Sequence, residues 1–235
     1  MSGGVPAGFD PVLFDLDGTI VDTVELIRAS FRHATRTVFG KVLPDEQIMR
    51  YVGQPLMTQM EQLSMDHTQS TDLAEQLRQT YVEHNHRVHD ELIRRYDGVE
   101  SMLTALQDGG RNIGLVTSKS RPVTEMAFRA VGLEEHFQVV ITASDTTSHK
   151  PSPEPLLLAL ERFAADGAPS RAEGAVYVGD SPFDIQAGKA AGMATAAVTW
   201  GIFSRAALEE TAPDYVLERP AEVVEVCLSG AAGTA

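Results

Sequence analysis

Near the amino terminus, Val12-Leu13-Phe14-Asp15-Leu16-Asp17-Gly18-Thr19 sets two carboxylates at the end of an apolar run. An apolar run closed by Gly is the pattern of a short buried strand that stops at Gly18. Side chains alternate along a strand, so Asp15 and Asp17 leave it on the same side. Two carboxylates at the end of a buried strand repel each other and lose solvation. A bound cation or a shared proton relieves both penalties. One Asp there would read as a turn cap. Asp-x-Asp-Gly-Thr directly after a buried strand reads as an anionic, metal-seeking centre, for which the remaining chain has to supply partners.

The pattern after Thr19 is helical. Asp22 and Glu25 have the spacing of a capping box. Leu26, Ile27, Phe31, Ala34 and Val38 recur at helical spacing, and Gly40 closes the run. Arg28, Arg32 and Arg36 line one face, and Arg28, about one turn in, is placed to reach back to the carboxylates. Residues 44–63 read as two short helices broken at Val52-Gly53-Gln54-Pro55, and residues 71–94 as one long helix. Within it, His84 and His86 point to different faces, which disfavours a shared metal and makes His86 an exposed side chain. Asn85 and His89 share a face and are, with Arg28 and Gln54, candidate substrate contacts. Residues 20–95 thus read as a helical block without a strand.

From Tyr96 the pattern changes to alternating helix and strand. Helix 99–108, strand Ile113 to Thr117, a helix from Pro122, strand Phe137 to Thr142, helix 153–165, strand Ala175 to Gly179, helix 182–191, strand Thr195 to Val198 and a short strand at Tyr215 to Leu217 follow in order. This alternation predicts an α/β fold, a parallel sheet flanked by helices. Ligands of such sheets bind outside the carboxyl ends of the strands. Thr117, Ser118, Lys150, Asp180 and Asp184 all follow strands, so they are expected to converge with Asp15 and Asp17 on one edge. The expected organisation is a core of residues 9–21 and 96–229, a helical domain of 22–95 inserted over that edge, and disordered tails at 1–8 and 230–235.

Three carboxylates offering oxygen favour a hard cation, and Mg²⁺ is the usual one where phosphate is the other ligand. Lys150 adds a compact positive charge, and Thr117 and Ser118 offer a hydroxyl and backbone N–H groups to an anion. Asp15 can then act as a carboxylate nucleophile on phosphorus. Asp17 can protonate the leaving oxygen and later deprotonate water.

The four elements together resemble the haloacid dehalogenase superfamily of phosphohydrolases: Asp15-Leu16-Asp17-Gly18-Thr19, Thr117, Lys150, and Gly179-Asp180-Ser181-Pro182-Phe183-Asp184. That resemblance implies a Rossmann-like core with an inserted α-helical cap. It implies Asp15 as nucleophile and Asp17 as acid/base. Mg²⁺ would bind Asp15, the backbone carbonyl of Asp17, and Asp180, with Asp184 ordering the metal waters or Lys150. Ser118 stands where many phosphatases of the group carry Asn. Residues 83–92, His149 to Pro155 and Asp184 to Gly192 are similar to the phosphoglycolate phosphatase and pyrophosphatase branch, which implies pyrophosphate or a small phosphomonoester as substrate.

Charge and cysteine content bound the setting. There are 33 acidic residues against 19 basic ones, a net charge of −14, and a single cysteine, Cys227. Such a surface repels nucleic acid and anionic membrane, so neither is an expected partner. One cysteine allows no intrachain disulfide, and no secretory leader or long apolar run is visible, so a cytoplasmic location is expected. Oligomeric state stays open. Two alternatives accompany the hydrolase reading: a sugar phosphomutase on the same scaffold, and a non-catalytic phosphate- or partner-binding module. A pure binder has no use for a carboxylate nucleophile beside a general acid.

Overall fold

The computed structural model describes residues 8–229. The tail residues 1–7 and 230–235, expected to be disordered, lie outside it. Six strands form a parallel sheet: β1 (Val12–Phe14), β4 (Ile113–Val116), β5 (Val139–Ile141), β6 (Val176–Gly179), β7 (Ala194–Val198) and β8 (Tyr215–Leu217). Their order is β5-β4-β1-β6-β7-β8. The chain therefore builds outward from β1 in one direction and then in the other, and the crevice between β1 and β6 is where ligands of such sheets bind. Register places Phe14 opposite Leu115 on one side and Val178 on the other, so β1 and β6 end level.

Alternation along β1 fills both faces. Val12 and Phe14 pack with Val99, Leu103 and Leu106 of α5 (Val99–Asp108) and Val223 of α10 (Pro220–Ser229). Leu13 packs on the opposite face with Leu156, Leu160 and Phe163 of α7 (Glu154–Ala165) and Ala187 of α8 (Pro182–Ala190). The helices α6 (Arg121–Val131) and α9 (Arg205–Glu209) complete this half.

The segment between β1 and α5 holds α1 (Val24–Phe39), α2 (Asp45–Met49), α3 (Leu56–Thr68) and α4 (Ala74–Leu92). These four helices bury an apolar cluster of their own, including Phe31, Leu63 and Leu77. The segment also holds two strands, which corrects the expectation of a purely helical block. β2 (Val21–Asp22) pairs antiparallel with β3 (Arg94–Arg95), so the way into the helices and the way out are stitched together. The expected capping box at the start of α1 is not formed. Asp22 Oδ1 accepts from Val24 N at 3.1 Å, and the N-cap residue is Thr23, whose hydroxyl goes instead to Asp17 Oδ1 at 2.7 Å. The hydroxyl proton is thus given to a charged acceptor, a strong hydrogen bond that orients the side chain toward Asp17. Among the described residues no helix is long and apolar enough to cross a membrane.

Candidate active site

Loops from four strands meet at the carboxyl edge of the sheet. Asp15 follows β1, Thr117 follows β4, Lys150 lies in the loop between β5 and α7, and Asp180 follows β6. Asp184 sits in the first turn of α8, where its carboxylate accepts from Ser181 N at 3.0 Å and Ser181 Oγ at 2.6 Å. Lys150 Nζ is 2.8 Å from Asp15 Oδ1, 2.6 Å from Asp184 Oδ1 and 3.1 Å from the Tyr177 hydroxyl. That hydroxyl donates to Val116 O at 2.8 Å, which fixes the cluster to the sheet.

All of this is out of water. Burial pushes the Asp15 carboxyl up to about 7, with Lys150 pulling the other way and Asp184 adding to the rise. Burial, then the Asp184 and Asp15 charges, hold Asp180 well above the usual carboxylate range. Burial alone would lower Lys150, but the Asp15 and Asp184 carboxylates outweigh it and keep the ammonium charged.

Oxygens of Asp15, Asp180 and Asp184 all lie within 4.8 Å of one another. Three buried carboxylates thus face one ammonium, an excess of negative charge that a divalent cation offsets. The donor set is all oxygen, which suits a hard cation. Asp180 is also tightly framed. A Cβ at Gly18, where φ is +78°, would fall 2.0 Å from Asp180 Oδ2, and one at Gly201 would fall 2.3 Å from the same atom. Only glycine allows the two chain segments to close around this carboxylate. Asp15 and Asp180 line the adjoining cavity, while Asp184 is turned inward to Lys150 and Ser181. These carboxylates could hold a divalent cation, with Asp184 bracing Lys150.

The cavity has a volume of about 420 Å³ and lies between the sheet edge and the helical segment. Asp17, Thr117, Ser118 and Lys119 line it from the sheet side, and Gln54, Tyr81 and Asn85 from the helical side. Lys119, not singled out by the sequence reading, forms an ion pair with Asp17 Oδ1, the oxygen that also accepts from Thr23. Its position two residues past Thr117, in a strand-end loop, was the available signal. Thr117 Oγ1 accepts from Lys119 N at 3.2 Å. Ser118 donates its hydroxyl to Gly53 O at 2.9 Å, joining the sheet edge to the loop between α2 and α3.

The four candidate contacts from the helical segment divide. Gln54 and Asn85 line the cavity. Arg28 and His89 are not among the cavity-lining residues, which corrects the expectation for both. Arg28 Nε lies 3.5 Å from Asp45, which also binds Arg32 in two hydrogen bonds, so an acidic neighbour on α2 captures that face of α1. His89 is buried with Nδ1 2.7 Å from Asp90 Oδ1. His86 is exposed, as expected, but at the cavity mouth. His84 stacks on His33, ring centroids 4.4 Å apart.

A family model for haloacid dehalogenase-like hydrolases matches residues 12–198. Pyrophosphatase PpaX of Bacillus pumilus (strain SAFR-032) is 38% identical over 215 residues, covering 92% of this chain and 94% of that protein. Pyrophosphatase PpaX of Bacillus cereus (strain G9842) is 36% identical over the same length and coverage. The crystal structure of a predicted phosphoglycolate phosphatase from Haemophilus somnus 129PT superposes with a TM-score of 0.81 at 21% identity, covering 93% of this chain and 97% of that one, a likeness of fold. With the match running from β1 through β7, the chain belongs to the haloacid dehalogenase-like hydrolase family.

Proposed function

We propose that this chain is a Mg²⁺-dependent phosphohydrolase that works through an aspartyl-phosphate on Asp15 and acts on inorganic pyrophosphate or a small phosphomonoester such as phosphoglycolate. The observation that carries the reading is Lys150, buried and held 2.8 Å from Asp15 and 2.6 Å from Asp184, behind a carboxylate that faces the cavity. Membership of a hydrolase family and relatives named pyrophosphatase support cleavage of a phosphate bond.

Asp15, Asp180 and the backbone carbonyl of Asp17 would hold the cation, which supplies neutralisation of phosphate charge when bound. One Asp15 oxygen is engaged by Lys150, and the other attacks phosphorus. The bond from phosphorus to the leaving oxygen breaks as Asp17 delivers a proton to that oxygen. Water then attacks the phosphorus of the aspartyl-phosphate, Asp17 takes its proton, and the bond to Asp15 breaks to release phosphate. Such acid–base help is worth roughly 10²–10⁴-fold in rate. Thr117 and the backbone N–H of Ser118 offer donors to the phosphoryl oxygens. Lys119 adds positive charge at the same place, and positioning and charge dominate phosphoryl transfer.

The test is phosphate release from pyrophosphate, phosphoglycolate, p-nitrophenyl phosphate and sugar phosphates with Mg²⁺. Release is expected from at least one, and Asp15→Asn abolishes it with an unchanged circular dichroism spectrum. No release from the whole panel would sink the reading. Isomerised sugar phosphate without release would assign a phosphomutase instead.

A further inference from the structure

The cavity is large and apolar where it leaves the carboxylates. At about 420 Å³ it falls in the range of roughly 300–1,000 Å³ that encloses whole organic ligands. Leu56, Val82, Val123, Ile202 and Phe203 line it and are each only half-buried, so they hold apolar surface open to whatever enters.

On the helical side Gln54, Gln59 and Asn85 are already engaged, while His86 stands exposed at the mouth. The Gln54 amide pairs with Gln62 at 3.2 Å in both directions, Gln59 Nε2 donates to Gln54 O at 2.7 Å, and Asn85 Nδ2 donates to Ser30 Oγ at 3.2 Å. The cations are engaged as well: Lys119 by Asp17, and Arg78 by two 2.7 Å hydrogen bonds to Glu75. A second phosphoryl group lying beyond Asp15 would bring two or more negative charges against these walls. An ion placed so without a partner is strongly penalised, whereas a hydrocarbon group gains by covering the same surface.

We infer that the substrate is a phosphomonoester whose organic part is apolar, alkyl or aryl, in preference to bare pyrophosphate. The inference rests on the phosphohydrolase reading and, within it, favours an apolar phosphomonoester over both pyrophosphate and phosphoglycolate. The phosphoryl group sits at Asp15 and Lys119, and the organic part lies along Leu56, Val82 and Phe203.

The test is a comparison of kcat/KM for methyl, butyl, hexyl and phenyl phosphate and for pyrophosphate, with Mg²⁺ throughout. The value is expected to rise about twofold to fourfold per methylene, the gain from burying one CH₂, and hexyl and phenyl phosphate are expected to exceed pyrophosphate. Leu56→Ser with Val82→Ser is expected to cut the hexyl-to-methyl ratio by about fivefold or more. A flat alkyl series, a pyrophosphate value above all four esters, or a ratio unmoved by the wall substitutions would overturn the inference while the hydrolase reading stands. Release from none of the five, with release from phosphoglycolate or a sugar phosphate, would overturn the inference alone, and release from none of these would overturn the hydrolase reading with it.

Discussion

The ammonium of Lys150 lies 2.6 Å from Oδ1 of Asp184, and both side chains are buried. The pair ties the loop after β5 to the first turn of α8 and delivers the remaining Lys150 contact to Asp15. Removing one partner from a buried ion pair leaves the other charge short of compensation, which costs roughly 3–5 kcal/mol. Asp184→Ala also removes the acceptor for Ser181. Lys150 keeps Asp15, so the expected loss of stability is about 1–3 kcal/mol, read from urea midpoints at neutral pH. A loss below about 1 kcal/mol, the size of an exposed pair, would show that the cluster is not the brace described here.

Asp180 should behave in the opposite way. Burial first, then Asp184 and Asp15, hold its carboxyl above the ordinary range in the folded chain. Below the unfolded value the group is protonated in both states. As pH rises from there, the folded chain resists ionisation and loses stability until the folded value is passed. Asp180→Asn keeps an oxygen for the Ile202 N–H, now 2.6 Å from Asp180 Oδ2, and removes the charge. In EDTA it is expected to be roughly 0.5–2 kcal/mol more stable than wild type at pH 8, with a smaller difference at pH 5. Added Mg²⁺ is expected to raise the thermal midpoint of wild type and not of the variant. Equal Mg²⁺ shifts in both proteins would place the cation elsewhere.

The residues legible in the sequence were those whose position a strand end encodes. The run Val12 to Phe14 fixed where Asp15 leaves the sheet, and Val176 to Gly179 did the same for Asp180. Helix faces told less. The spacing of Arg28 with Arg32, or of Asn85 with His89, says which residues share a side of a helix and not what that side meets. Asp45 and Asp90 decide it, and both pairings depend on side-chain placement. The β2–β3 ribbon was illegible for another reason: two residues per strand are too few for a period of two to register. Tyr177 sits in an apolar run that reads as core, and nothing local reveals that its hydroxyl meets Lys150 and Asp184.

Lys119 is the cation that lines the cavity beside Asp17, with 17% of its side chain exposed. It places positive charge beside Thr117 and Ser118 in the cavity wall and holds Asp17 together with Thr23. Lys119→Met keeps the length of the side chain and removes the charge. The variant is expected to lose about 10²-fold in kcat/KM, the scale set by loss of one charged group near a developing anion. A loss of about 1–3 kcal/mol in stability is expected beside it, because the pair is largely buried and Asp17 keeps only the Thr23 hydroxyl. Steady-state kinetics and urea denaturation check both halves, and wild-type kinetics in the variant would remove Lys119 from the site.

Gly53 couples the helical segment to the catalytic edge. Its carbonyl accepts from Ser118 Oγ at 2.9 Å, and its φ is +99°, in the left-handed region that favours glycine. A Cβ there would fall 2.9 Å from Phe183 Cδ2 and 3.2 Å from Ser181 Oγ, in the loop and first turn that carry Asp180 and Asp184. Gly53→Ala therefore adds backbone strain of roughly 1–3 kcal/mol and pushes the 52–55 loop off the sheet edge. That loop contributes Val52, Gln54 and Pro55 to the cavity wall, so the displacement opens the cavity. The expected result is a rise in KM of about tenfold, one factor per 1.4 kcal/mol, with faster proteolytic nicking of the loop. Ser118→Ala removes only the hydrogen bond, worth about 0.5–1.5 kcal/mol, and is expected to raise KM less. If Gly53→Ala increased nicking while KM stayed at the wild-type value, the loop would be a passive cover, and the organic part of the substrate would have to be held by α4 and the Ile202-Phe203 wall alone.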